Sequence, residues 1–97
     1  MATQLQKRIA AGIAFLNVVK PNWLKKIDIE QLDLSKSKTC MLGEVFGDYG
    51  EAIQELGLES DKDYAAQCLG FYEDDWNKYK ELTNAWKKAL RPLLKGT

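Results

Sequence analysis

Residues 39–56 constrain the fold more than any other stretch. Leu42, Val45, Phe46, Tyr49, Ile53 and Leu56 recur at steps of three or four residues, the period of a helix burying one stripe. Glu44, Asp48, Glu51 and Glu55 recur at the same period and form an acidic stripe on the opposite side. Gly43, Gly47 and Gly50 interrupt the pattern. Each glycine costs a helix interior roughly 0.8–1 kcal/mol relative to alanine, so their presence points to close helix packing or a local break. The expectation is a central helix ending near Leu56, with Gly57 as the residue that stops it and Leu58 as its hydrophobic follower.

The other apolar periods are also helical. Leu5, Ile9, Ile13 and Leu16 give one face of a helix over 3–19, with Phe15, Val18 and Val19 widening it toward cover on more than one side. Pro21 stops it. Residues 22–27 read as one short turn carrying Trp23, Leu24 and Ile27. Residues 28–34 alternate like a strand but have no partner strand, so an extended connection or 3₁₀ turn is expected. Ser37 or Thr39 is the expected cap of the central helix. Ser60-Asp-Lys-Asp63 opens a short helix through Leu69, with Tyr64, Ala65, Cys68 and Leu69 inward. A last helix is expected from about Asp75 to Leu90 or beyond. Its stripe is Trp76, Tyr79, Leu82, Trp86, Leu90 and Leu93, and Pro92 breaks or kinks its end. The fold class is therefore all-α: a single helical domain over residues 1–97 with about four main helices plus short turns.

Charge is uneven beneath a net value of zero. Residues 1–27 carry five bases and no acid. Residues 28–75 carry thirteen acids and three bases, and residues 76–97 carry six bases and one acid. Either the terminal helices neutralise the middle, or the folded surface is bipolar and steers a charged partner.

Several activities are excluded. The chain has no histidine, which removes the commonest general base and zinc ligand and forbids Ser-His-Asp and Cys-His sites within it. Glycine spacing matches neither the P-loop nor the dinucleotide fingerprint. Asp61-Lys-Asp63 begins like a calcium loop, but Ala66 and Tyr72 stand where glycine and an acid are required. Glu73, Asp74 and Asp75 fit helix capping better than metal binding. Cys40 and Cys68 are too few and too far apart for a disulfide scaffold and read as reduced, buried thiols. No catalytic residue, metal or cofactor is expected. Lys7 and Arg8 before an apolar run faintly suggest a signal peptide, but no cleavage site follows and no apolar run reaches the roughly 18 residues of a membrane span. A cytoplasmic location with no membrane partner is the expectation.

The motif Cys40-x-Leu42-Gly43-x-x-Phe46-Gly47-Asp48-Tyr49 is the most specific part of a wider pattern. The pattern also includes Trp23, Ile27-Asp28, Leu32-Asp33-Leu34-Ser35, Leu56-Gly57-Leu58, Gly70-Phe71 and Leu82-Thr83-x-x-Trp86. It resembles small proteins encoded in phages and prophages of Gram-positive bacteria, over roughly residues 10–90. The resemblance implies a small protein of the host cytoplasm and transfers no catalytic assignment. Its members are mostly core positions and packing glycines. Asp28, Asp33 and Asp48 are the polar exceptions, expected in capping and turn bonding.

Three functions follow as expectations. The first is a non-enzymatic phage-type accessory protein that binds a host protein and modulates host machinery or defence, with Glu44, Asp48, Glu51 and Glu55 as contact surface. The second is a nucleic-acid-associated regulator using the basic surface of Lys78, Lys80, Lys87, Lys88 and Arg91, against which the pI of about 6.2 counts. The third is a small-molecule or nucleotide binder acting as a homo-oligomer.

Overall fold

The computed structural model describes residues 3–58 and 62–95. These residues form five α-helices and two 3₁₀ turns, with no strand among them. The fold is all-α. Helix α1 spans Gln4–Val19, α2 Met41–Phe46, α3 Tyr49–Glu55, α4 Lys62–Cys68 and α5 Tyr79–Lys95. The 3₁₀ turns are Trp23–Lys26 and Trp76–Lys78.

A capping box starts α1. The Thr3 hydroxyl accepts from the Gln6 backbone N–H, and the Gln6 side chain accepts from the Thr3 N–H, which satisfies two of the free donors of a helix start. The chain leaves α1 at Lys20, before Pro21. Trp23 then enters the core with its indole N–H donating to Asn17 at 2.8 Å. Residues 28–34 form turns. The Asp28 carboxylate accepts from Glu30 N, and the Asp33 carboxylate accepts from both Ser35 N and Ser35 Oγ.

The expected central helix is two helices. Gly47 has φ +101°, a conformation glycine adopts without steric cost, and it ends α2. Asp48 is extended and caps α3, its carboxylate accepting from the N–H groups of Gly50 and Glu51. The cap of α2 is Cys40 rather than Ser37 or Thr39. Its sulfur accepts from Gly43 N at 3.2 Å. The end of α3 follows expectation. Gly57 has a positive φ and donates to Gln54 O, and Leu58 N donates to Ile53 O, the paired bonds of a Schellman motif.

Helix α1 packs on α5 and α4, while α2 packs on α3 and the first 3₁₀ turn. Trp86 is fully buried at the centre, stacked on Phe71 with ring centroids 5.8 Å apart. Its indole N–H donates to Gly70 O. Gly12 brings α1 against this group: a β-carbon there would collide with Leu69 O and press on the Trp86 ring at 3.1 Å. Arg8 on α1 ties down the α4–α5 connection. It donates to Gln67 O at 2.6 Å and to Tyr72 O at 3.0 Å, and it pairs with buried Glu73. Glu73 thus holds tertiary structure instead of starting the last helix.

Several inward-facing expectations are corrected. Tyr64 and Cys68 are exposed, and Ala66 is the buried residue of α4. Trp76 is 71% exposed because it lies in the 3₁₀ turn, whose tighter winding takes it out of phase with the α5 stripe. The buried row of α5 is Leu82, Trp86 and Leu90, and it continues to half-buried Leu94 rather than Leu93. Pro92 does not break α5, which runs on to Lys95. Pro92 sits exposed in the final turns, where proline removes a single backbone bond from the helix. Val18 is 80% exposed, so the far end of α1 is not covered on a second side among the described residues. The expected Ser60–Asp63 capping box and the Asp61–Asp63 carboxylates fall on or beside positions outside the described residues.

Candidate functional site

The acidic stripe does not survive as one surface. Glu44 is half-buried and turned inward: one carboxylate oxygen accepts from Asp28 N at 3.2 Å and the other is buried without a hydrogen-bond partner. Burial, reinforced by nearby Asp28, raises its pKa to about 7. Asp48 is spent on the α3 cap. Only Glu51 and Glu55 remain exposed, at the edge of a shallow notch with Phe46 and Gln54. For Asp48 the cause is glycine: a helix broken at Gly47 exposes backbone donors, and the nearest acid is drawn in to satisfy them, whereas Glu44 is drawn to the N–H of Asp28 in the preceding turn region.

Helix α5 behaves differently. It is a continuous 17-residue helix, so most of its interior backbone groups bond one another; Tyr79 and Thr83 accept from loop N–H groups, while the polar side chains of its outer row are left uncommitted. The expected basic surface is also divided, because the cations fall on different sides. Lys80, Asn84, Lys87 and Arg91 lie at i, i+4, i+7 and i+11, one row of the helix. Lys88 lies on the side facing α1. Lys78 belongs to the preceding 3₁₀ turn.

Each side of α5 borders a groove. The polar groove, about 510 Å³, has Asn77, Lys80, Asn84 and Lys87 along one wall, Leu32, Asp33 and Ser35 on the other, and exposed Trp76 at its mouth. Trp76 is held against Tyr79 in an edge contact at 5.7 Å. Tyr79 is anchored in turn, its hydroxyl accepting from Glu73 N at 3.1 Å. The Ser35 bonds hold Asp33 below the usual carboxylate range, with Lys36 and Lys87 helping, although burial opposes the shift. Thr83 closes the floor, its hydroxyl accepting from Leu34 N.

The second groove, about 470 Å³, runs between α1 and α5. Leu5, Ile9, Ala10 and Ile13 face Ala85 and Ala89, with Thr3, Gln6 and Lys88 at its edges. The alanines on α5 are too short to fill the space against α1. Apolar surface continues from Ala10 along the exposed side of α1 to Ala14 and Val18, without a charge between Ile9 and Val19.

Sequence reasoning named the cations of α5 but missed Trp76, Asn77, Asn84 and the Ala85/Ala89 pair. The helical spacing of 77, 80, 84 and 87, and the i, i+4 alanines, were the available signals. The nucleophile candidates are subdued. Burial pushes the Cys40 thiol up to about 11, keeping it protonated and unreactive at neutral pH. Cys40 is buried as expected and Cys68 is not. Among the described residues, no three Cys, Asp or Glu side chains converge as a metal site, and no helix is long and apolar enough to cross a membrane. Comparison of the chain with protein-family models, with curated proteins and with solved structures finds no match.

Proposed function

We propose that this is a non-enzymatic binding protein that modulates a partner protein by docking an amphipathic, acid-rimmed helix of that partner in the α1/α5 groove. The observation that carries the reading is the furrow left by Ala85 and Ala89 opposite Leu5, Ile9 and Ile13. An apolar groove between two helices is a general mode of helix recognition, read by anchors at i, i+3, i+4 and i+7. Charge selects the occupant. Helix α1 carries no acid, α5 carries only Glu81, and Lys88 is the exposed cation at the edge of the groove. A second copy of the chain would set cations against cations, whereas an acid-rimmed helix would meet complementary charge. A phage-encoded protein occluding a host protein is the biological form of this reading, and it rests on the sequence resemblance.

The test is capture from lysate of a Gram-positive host, with nuclease, comparing the wild type with Ala10→Glu, Lys88→Glu and the double variant Glu51→Lys/Glu55→Lys. The expected result is one stoichiometric protein that is lost with the first two variants and kept with the third. Loss only with the Glu51/Glu55 variant would return the contact to the acidic notch. Capture that survives Ala10→Glu and Lys88→Glu would defeat the groove.

A further inference from the structure

The polar groove on the other side of α5 has a chemistry of its own. Trp76 presents a large aromatic face to solvent, and large exposed aromatics on small proteins mark contact sites. Its position is fixed rather than loose. Asp75 caps the 3₁₀ turn by accepting from Asn77 N at 3.0 Å, and Tyr79 packs against the indole. Beside it, Asn77, Lys80, Asn84 and Lys87 line one wall. Among the described residues, neither Lys80 nor Lys87 has a carboxylate at ion-pair distance, and the Asn84 side chain forms no hydrogen bond. The one acid of the groove, Asp33, already accepts two bonds from Ser35. The volume falls within the roughly 300–1,000 Å³ of small-ligand sites.

We propose that this groove binds a nucleoside phosphate, its base stacked on Trp76, its polar edge read by Asn77 and Asn84, and its phosphate held by Lys80 and Lys87. An indole stacks on any base, since every base has a π-face. A carboxamide both donates and accepts, as a base edge requires. Ammonium groups supply the phosphate contact. From Lys80 to Lys87 the α5 row rises about 10 Å, so the cations can follow either one nucleotide's phosphates or the backbone of a short single strand. An acidic peptide would satisfy the lysines and its backbone could bond the carboxamides, but it offers the indole no aromatic face to stack on.

The structure supplies its own reporter. Trp23 and Trp86 are buried, and Trp76 alone of the three tryptophans is exposed, so quenching of the solvent-exposed emission follows the groove. The full chain is titrated with adenosine and uridine monophosphates and with oligothymidylates of increasing length. Affinities of the wild type and of Trp76→Ala, Asn84→Ala and Lys80→Glu/Lys87→Glu are measured by calorimetry, with melting curves to confirm that each variant is folded. Saturable quenching is expected in the wild type, with a calorimetric affinity weakened roughly tenfold or more by Trp76→Ala and abolished by the double lysine change. Saturation by mononucleotide would identify a free nucleotide as ligand, whereas affinity rising with oligonucleotide length and falling with salt would identify a single strand. No quenching at millimolar nucleotide and with every oligonucleotide would overturn the proposal. So would undiminished affinity in folded Lys80→Glu/Lys87→Glu, or quenching by polyglutamate alone. The readout is independent of the α1/α5 groove, because Ala10→Glu should leave it unchanged.

Discussion

Residues 41–55 and residues 79–95 are similar in length, helical period and density of charge, yet they use their polar side chains in opposite ways. In α2 and α3, Cys40, Glu44 and Asp48 all turn toward nearby backbone N–H groups. In α5, the row Lys80, Asn84, Lys87 and Arg91 serves no backbone donor. Part of the difference is chemical, since ammonium and guanidinium groups carry no acceptor for an N–H; the rest lies in the backbone. Two helices of six and seven residues have a large fraction of unsatisfied ends, and polar side chains close to them are recruited as caps. One long helix needs few caps and leaves its surface free for recognition. A charged stripe in a glycine-broken helix is thus weaker evidence of a binding face than the same stripe in an unbroken one.

The largest expected effect tests the close packing of the broken region. A β-carbon on Gly43 would strike the Ser37 and Lys38 backbone, with Lys38 C only 2.6 Å away. Backbone cannot step aside as a flexible side chain would. Gly43→Ala should therefore destabilise by about 1–3 kcal/mol despite the better helix propensity of alanine, lowering Tm by at least about 4 °C. In α5 the comparable change, Asn84→Ala, should leave Tm nearly unchanged, because the side chain is exposed and unbonded. Equal effects at the two sites would remove the contrast. A smaller loss is expected for Asp48→Ala, about 0.5–2 kcal/mol for a lost N-cap, measured by chemical denaturation. Lys87→Ala should cost little by the same measurement.

How much of this was legible before the structure follows the same line. The core positions Leu42, Val45 and Ile53 were readable and are buried. Periodicity reports which way a residue faces, and the Gly47–Asp48 interruption keeps Tyr49 and Ile53 turned to the same core. For that reason the period could not reveal the break. The inward face of α4 was misread because seven residues give only two turns of period, and Tyr64 outweighed the small Ala66 that fills the contact. On α5 the lysines of the polar groove were visible but the groove was not. Its second wall, Leu32 to Ser35, lies more than forty residues away in the chain, and only the Leu34 N to Thr83 bond and its surroundings bring the walls together. Arg8 and Glu73 illustrate the same limit at a separation of 65 residues.

The last expected effect depends on pH and separates an acid held inside from acids left outside. Glu44 has an ordinary pKa of 4.5 that burial raises to about 7 in the folded chain. Its folded pKa exceeds its unfolded one, so the fold binds this proton more tightly than the unfolded chain does. The stabilisation from the protonated carboxyl is fully present below about 4.5 and is lost as pH rises through about 7. Glu44→Gln keeps an oxygen to accept from Asp28 N and never ionises. Wild type and variant should melt at similar temperatures at acid pH, and the variant should melt higher above neutral pH. Glu55→Gln, at an exposed position of α3, should show no such divergence. Parallel Tm-versus-pH curves for wild type and Glu44→Gln would mean that Glu44 reaches water after all, and the acidic stripe would regain one of its lost members. Divergence confined to Glu44 would fix it as part of the interior and leave Glu51 and Glu55 as the only acids of that face open to a partner.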